Sequence, residues 1–190
     1  MQNHWILVVR EQRIGRTVLG AMDILQNRIR NRFWAFGRRA KGLRSLRKGD
    51  RALLYASGRT NKDFVGICEI NSAPYELPRK HREMVVGNPS YTIDLNGVQL
   101  FPQPRSAKAY LQRLSFVRNK QNWGAYFQGS AIRIPEEDYN LIAGSTVKKE
   151  DAIGKDKVCP PHVWGYEAVP IHGESITVRR CQICGISERE

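Results

Sequence analysis

The chain has 190 residues, 41% of them hydrophobic and 26% charged, which excludes a wholly disordered chain and leaves room for one domain of ~100–150 residues plus a small appendage. Thirty-one Lys and Arg against eighteen Asp and Glu give a formal net charge of +13, so a polyanion is the first partner to expect. No run reaches the roughly 20 apolar residues of a membrane helix, and Trp5-Ile6-Leu7-Val8-Val9 is too short for the apolar core of a signal peptide; the expected location is cytoplasmic.

In chain order, Trp5 to Val9 reads as a buried first strand, and Thr17 to Gln26 carries Val18, Met22 and Leu25 at helical spacing. Arg32-Phe-Trp-Ala-Phe36 is a short aromatic segment. Ala40 to Leu46 reads as a short Arg-studded helix closed by Lys48-Gly49-Asp50. Arg51 to Ser57 and Asp63 to Ile70 are apolar-rich runs joined by a turn-forming stretch, the pattern of a central β-hairpin. Tyr91 to Phe101 predicts a further strand, with a tight turn or a bulge at Asn96-Gly97. Helices are expected over Ser106 to Arg113 and Pro135 to Ile142, the latter with acids in its first turn where the helix dipole favours them. Short strands with interspersed helices and no βαβ rhythm indicate an α+β barrel rather than a doubly wound sheet.

The positive charge is uneven. Residues 1–50 hold twelve Lys and Arg against three Asp and Glu, nine of the thirteen net charges. Arg28, Arg30, Arg32, Arg38, Arg39, Arg44 and Arg47 dominate the segment, and guanidinium groups both fork onto phosphate and stack on bases. Trp34 lies among these cations, as a base-stacking site requires, whereas Trp5 begins a buried strand and is assigned to the core.

From Ala143 to Lys157 the apolar pattern gives way to Gly, Ser, Lys and Asp, which reads as a linker over 144–157 between a domain at 1–143 and a separate unit at 158–190. In that last unit Cys159-Pro-Pro-His162 and Cys181-Gln-Ile-Cys184 are two ligand pairs eighteen residues apart, the spacing of a zinc ribbon. Val163 to Pro170 and Ser175 to Arg180 would be its strands. So small a unit buries too little apolar surface to fold alone, so one structural Zn2+ held by Cys159, His162, Cys181 and Cys184 would supply the folding free energy. Cys68 falls within a predicted barrel strand and reads as an inert buried thiol. His172-Gly-Glu174 before Cys181-x-x-Cys184 has the outline of a zinc deaminase motif, but six intervening residues leave no room for the strand between motif halves, and a four-ligand site leaves no position for a catalytic water. No enzymatic function is expected.

The order of features over residues 4–142 resembles the EVE domain of the PUA-like superfamily, to which the YTH readers of methylated adenine also belong. The resemblance is carried by His4-Trp5-Ile6-Leu7, the Trp34 segment, Leu46-Arg-Lys-Gly-Asp50, Leu53-Leu-Tyr-Ala-Ser57, Val65-Gly-Ile-Cys-Glu-Ile70, and Leu114 to Gly124 followed by Ile134-Pro-Glu-Glu-Asp138. It implies a mixed β-barrel with flanking helices and one pocket for a single, often modified, base extruded from its strand. Aromatic stacking returns roughly 1–3 kcal/mol to such a base.

The resemblance places Trp34 on the pocket wall, Tyr55 and Ser57 at its floor, and Asn119 and Trp123 at its lip; Arg38 and Arg39 of the Arg-rich segment would hold phosphates, and Lys120 is a further candidate nucleic-acid contact. Many relatives have a polar run after the first strand and a His between the hairpin Tyr and Ser. Here those places hold Val9-Arg10-Glu11 and Ala56, so Arg10 or Glu11 would supply a different hydrogen-bonding edge. The expectation is a non-catalytic protein that binds DNA or RNA through a base pocket. The alternative is an adaptor whose zinc unit docks a partner protein and whose barrel binds nucleic acid without specificity.

Overall fold

A computed structural model describes residues 2–59 and 62–144, together with the backbone of three strands in the tail. The chain divides into two compact units, Met1–Glu150 and Asp151–Glu190.

The first unit opens with β1 (His4–Arg10), a hairpin of β2 (Gln12–Ile14) and β3 (Thr17–Leu19), α1 (Ala21–Arg30) and β4 (Phe33–Phe36). It continues through β5 (Arg51–Ser57), β6 (Lys62–Ile70), β7 (Tyr75–Glu76), α2 (Arg79–Arg82), β8 (Tyr91–Ser106), α3 (Ala107–Tyr110), β9 (Ala131–Ile134) and α4 (Glu136–Ala143). The main sheet has the order β4-β8-β6-β5-β1-β9, with β7 also on β8. β1 runs parallel to β5 and the other pairs are antiparallel.

Side chains alternate across a strand, so the almost wholly buried runs of β1 and β5 mean that both faces of the sheet are covered. Trp5, Leu7 and Val9 with Ala52, Leu54 and Ala56 form one core, which also holds Ile24 and Leu25 of α1, Trp34 and Phe36 of β4, and Ala131 of β9. Strands from opposite ends of the sheet therefore meet in one cluster, and the sheet curls into a partial barrel. Ile6, Val8, Leu53, Tyr55 and Phe64 point the other way, into a second core closed by Leu114, Val117, Phe127 and residues of α4.

Three sequence expectations change in detail. The expected helix at 17–26 begins later: β-branched Thr17 and Val18 pair with Arg13 and Ile14 in the β2-β3 hairpin, and extended Gly20 caps α1. The Ala40–Leu46 segment is a single 3-10 turn at Leu43–Ser45. Gly42 has φ +82 there and packs so closely that a Cβ would lie 2.5 Å from the Ala131 carbonyl oxygen. β8 passes straight through Asn96-Gly97, where its register against β6 shifts, so this place is a bulge rather than a turn.

Two buried carboxylates explain why the motif residues occur together. Asp50 accepts hydrogen bonds from the Trp5 indole (2.8 Å), the Asn3 and Arg47 backbone N–H groups and the Asn3 amide. Asp138, in the acidic first turn of α4, accepts from the Ser115 and Phe116 backbone N–H groups and the Ser115 hydroxyl at 2.8–2.9 Å. Asp138 ties the 115–116 backbone to α4, ahead of the segment that carries Trp123, and Asp50 fastens the opposite end of the β1–β5 pair.

In the tail unit β10 (Trp164–Ile171) pairs antiparallel with β11 (Glu174–Cys181), and β11 with β12 (Ser187–Arg189). Register sets Trp164 opposite Cys181. Of the candidate ligands, Cys159, His162 and Cys184 lie outside the described residues, as does the linker at 145–157. Cys181 is described by its backbone alone. Among the described residues no helix is long and apolar enough to cross a membrane.

Candidate nucleic-acid interface

Because β1 and β5 run parallel, their C-terminal ends come out together, with Arg10 opposite Ser57. Two clefts open at this end and Arg10 belongs to both. Segment 128–130 lies along them, and the Ser130 carbonyl holds the Val8 N–H at 3.0 Å.

The wider cleft, about 540 Å³, is lined by Arg10, Tyr55, Ser57, Lys62, Trp123 and the neighbours of Trp123. Tyr55 is fully buried, its ring 5.0 Å from Phe64 and 4.9 Å from Phe127, and its hydroxyl has no partner among the described residues. Burial first, then the nearby Asp63 carboxylate, pushes the phenol well above its ordinary pKa, so it stays a neutral donor at any physiological pH. Trp123 is half-buried, packed edge-on against Phe127 at 5.7 Å, with the Lys62 ammonium 5.0 Å from its ring centre. A flat ring with a cation beside it, over a floor that includes Tyr55, suits a nucleotide better than an apolar ligand.

The narrower cleft, about 320 Å³, lies between the end of β1, the end of β4 and the 86–89 loop. Its lining includes Arg10, Gln12, Arg28, Asn88 and Ser130 and contains no carboxylate. Arg28 is 8% exposed and lies over Trp34 with its Cζ 4.7 Å from the ring centroid. It forms no hydrogen bond or ion pair among the described residues, and its Nε is sealed from solvent without a partner. Burial lowers its pKa to about 10, which leaves the guanidinium charged at neutral pH. Stacking on Trp34 contributes about 2 kcal/mol, which offsets only part of the several kcal/mol that desolvating a cation costs.

The structure thus separates residues that the sequence reading placed in one pocket. Tyr55, Ser57 and Trp123 do line one cleft. Trp34, expected on the wall, is 0% exposed and lines neither cleft; β-strand alternation turns it into the core with Phe36, where it serves as the plate behind Arg28. Asn119 is a turn organiser, its Oδ1 accepting the Gln121 and Asn122 N–H groups at 3.0 Å, and it lines neither cleft. Lys120 spends its ammonium on the Leu114 carbonyl at 2.6 Å.

Arg38 and Arg39 are exposed beside the clefts' shared rim, and Arg39 lines an adjoining depression with Tyr126 and Gln128. The sequence reading gave Lys62 no role and counted Arg28 only as one of many basic residues. Its signal was present: Arg28 is four residues after Ile24 and seven after Ala21, on the buried stripe of α1, where a charge is unusual.

Comparison with known proteins agrees with this architecture. The EVE domain profile matches residues 3–145. A UPF0310 protein of Pyrococcus abyssi is 30% identical over 117 residues, covering 57% of this chain and 82% of its own length. One from Pyrococcus horikoshii is 28% identical over 123 residues, covering 60% and 85%. Among solved structures, the DUF55 domain of human thymocyte nuclear protein 1 is similar with TM-score 0.53 at 15% identity, covering 75% of this chain and 97% of that one. The human THYN1 protein in complex with DNA containing 5-methylcytosine matches with TM-score 0.50 at 16% identity, covering 74% and 95%. At these identities the likeness establishes the fold, a PUA-like curled sheet with flanking helices.

Proposed function

The chain belongs to the EVE domain family, and we propose that it is a non-catalytic nucleic-acid-binding protein that takes one extruded base, modified or unmodified, into the clefts at the end of β1 and β5. The observation that carries this reading is the pair of clefts sharing Arg10, one lined by Trp123 and Lys62 and the other by Arg28 with no carboxylate in its lining, on a chain of net charge +13. A similar fold in complex with DNA containing 5-methylcytosine supports it. The base enters the narrower cleft between β1 and β4. The wider cleft, with Trp123 as a platform and Lys62 and Arg10 as cations, takes the adjacent nucleotide. Exposed Arg38 and Arg39 hold phosphates and set register without reading sequence.

Binding of single-stranded oligonucleotides, followed by tryptophan fluorescence at two salt concentrations, tests the reading. Affinity falls steeply with salt, because each neutralised phosphate releases counterions. Trp123→Ala weakens binding by about fivefold or more, the loss of one stacked base. Binding that is weak at every salt and indifferent to Trp123 would favour an adaptor role instead.

For residues 158–190 we propose one structural Zn2+ on Cys159, His162, Cys181 and Cys184. Thiolates and an imidazole are the donors zinc prefers. The pairing of Trp164 with Cys181 supports the reading, since both ligand pairs adjoin that end of the hairpin in sequence. The expected stoichiometry is one zinc per chain by atomic emission, falling in the Cys181→Ser variant; a folded tail without metal would refute it. This unit would offer a second contact, to nucleic acid or to a partner protein.

A further inference from the structure

β2 and β3 stand apart from the main sheet. Among the described residues they pair only with each other, Gln12 opposite Leu19, Arg13 opposite Val18 and Ile14 opposite Thr17. Gly15 and Arg16 close this ribbon, and Gly15 takes φ +58, as the first residue of a two-residue hairpin loop requires. Residues directly opposite each other share a face of the ribbon, and the faces alternate along each strand. Gln12 and Leu19 lie on the inner face, where Gln12 lines the narrower cleft and Leu19 packs on the core. Arg13 and Val18 lie on the outer face, both exposed, and Val18 leaves 50% of its surface in solvent. Residues 12–19 hold two arginines and no acid, and Glu11, the carboxylate nearest in sequence, is already taken by Arg59 at 3.3 Å.

A two-stranded ribbon with a cationic, partly apolar outer face, rooted at the rim of a base cleft, matches one feature of a nucleic acid. The major groove of B-form DNA, about 12 Å wide and about 8.5 Å deep, admits such a ribbon, whereas the minor groove, about 6 Å wide, does not. Three paired rows and a turn, at ~3.4 Å per residue, reach roughly 10 Å, enough to touch the groove floor. The major groove of an A-form RNA helix is too narrow and deep for side chains to read.

We propose that the β2-β3 ribbon is a duplex-binding element that enters the DNA major groove beside the extruded base, with Arg16 leading and Arg13 and Val18 along the groove wall. This rests on the base-cleft reading above and extends it, because it fixes the substrate class as double-stranded DNA with one base turned out. A single strand still fills the clefts, at lower affinity.

The test titrates the full chain with a short DNA duplex carrying one central mismatch, which makes a base cheap to extrude, with the same strand unpaired, and with the matching RNA duplex. The protein is used unmodified, as the double variant Arg13→Gln, Arg16→Gln, and as Trp123→Ala. Arg13 and Arg16 are exposed, so their replacement leaves the core intact. The DNA duplex is expected to bind about tenfold or more tighter than the single strand or the RNA duplex. In the double variant that advantage disappears and the duplex salt slope falls by about two, while single-strand affinity changes by less than about threefold. A further duplex whose flanking cytosines carry glucosylated hydroxymethyl groups has its major groove filled and alters the ligand alone; it should bind no tighter than the single strand. Undiminished binding of that duplex, or a double variant that loses equally on duplex and single strand or loses nothing, overturns the ribbon and leaves the clefts standing. Indifference to Trp123→Ala with the duplex preference intact overturns the clefts and leaves the ribbon in the groove.

Discussion

Buried polar groups in the first unit fall into two sets, those with hydrogen-bond partners and those without. Asp50 and Asp138 are 3% and 2% exposed, and both carboxylates are saturated by backbone and side-chain donors. Arg28 and Tyr55 are 8% and 0% exposed, yet Arg28 Nε and the Tyr55 hydroxyl have no partner among the described residues, and neither do Trp34 Nε1 and His81 Nδ1. A fold under pressure for stability alone satisfies its buried groups, because an unmade hydrogen bond costs ~1–3 kcal/mol and an unpaired charge more. The first set therefore holds the structure together; in the second, the Arg28 and Tyr55 side chains line the clefts, whereas Trp34 and His81 line neither, so only the first two are placed to meet a ligand.

Breaking the satisfied set has the largest effect. Asp138→Ala removes three charge-assisted hydrogen bonds and strands the Ser115 and Phe116 N–H groups, and it should destabilise the domain by about 3 kcal/mol or more in denaturant unfolding. Asp50→Ala should act similarly, with a shift in Trp5 fluorescence as the indole loses its acceptor. An Arg28→Met substitution sharpens the contrast, since replacing an uncompensated buried cation by an apolar chain of similar length should leave stability unchanged or raise it by ~1 kcal/mol. A fall of 3 kcal/mol there would place Arg28 in the first set.

The pH dependence carries the same sign. Burial lowers the Arg28 pKa to about 10, so above that pH the unfolded chain binds more protons than the folded one and the penalty from this group shrinks as pH rises past 10. The smallest effect belongs to Cys68, which burial pushes up to about 12, with Glu69 adding to the shift. At pH 8 it should resist iodoacetamide for as long as the domain stays folded, read by mass mapping of its peptide.

How much of this was legible in the sequence follows from the same division. Alternation in β5 and β6, the turn chemistry between them and the acids opening α4 all acted locally, and the structure has those elements where they were expected. The Asp50 and Asp138 motifs were recognisable as patterns, but their partners 45 residues away for Trp5 and 23 for Ser115 come together only in the fold. Trp34 failed as a pocket residue for a physical reason. An aromatic among arginines has the composition of a base platform, yet the pleat of β4 turns the ring inward and leaves its neighbour Ala35 on the cleft. Lys120 failed because its charge is taken by a carbonyl six residues back, which no spacing rule reveals. Arg28 could have been found from its place on the apolar stripe of α1.

The central claim is that a base enters the cleft between the ends of β1 and β4. Backbone amide shifts of labelled protein, followed during titration with a short single-stranded oligonucleotide, test it most directly. The account predicts the largest shifts at Val9, Arg10, Gly37, Gly129 and Ser130, together with a shifted Arg28 side-chain Nε–H signal. Shifts confined to the exposed arginines around Arg38 and Arg39, with those cleft amides unmoved, would contradict it.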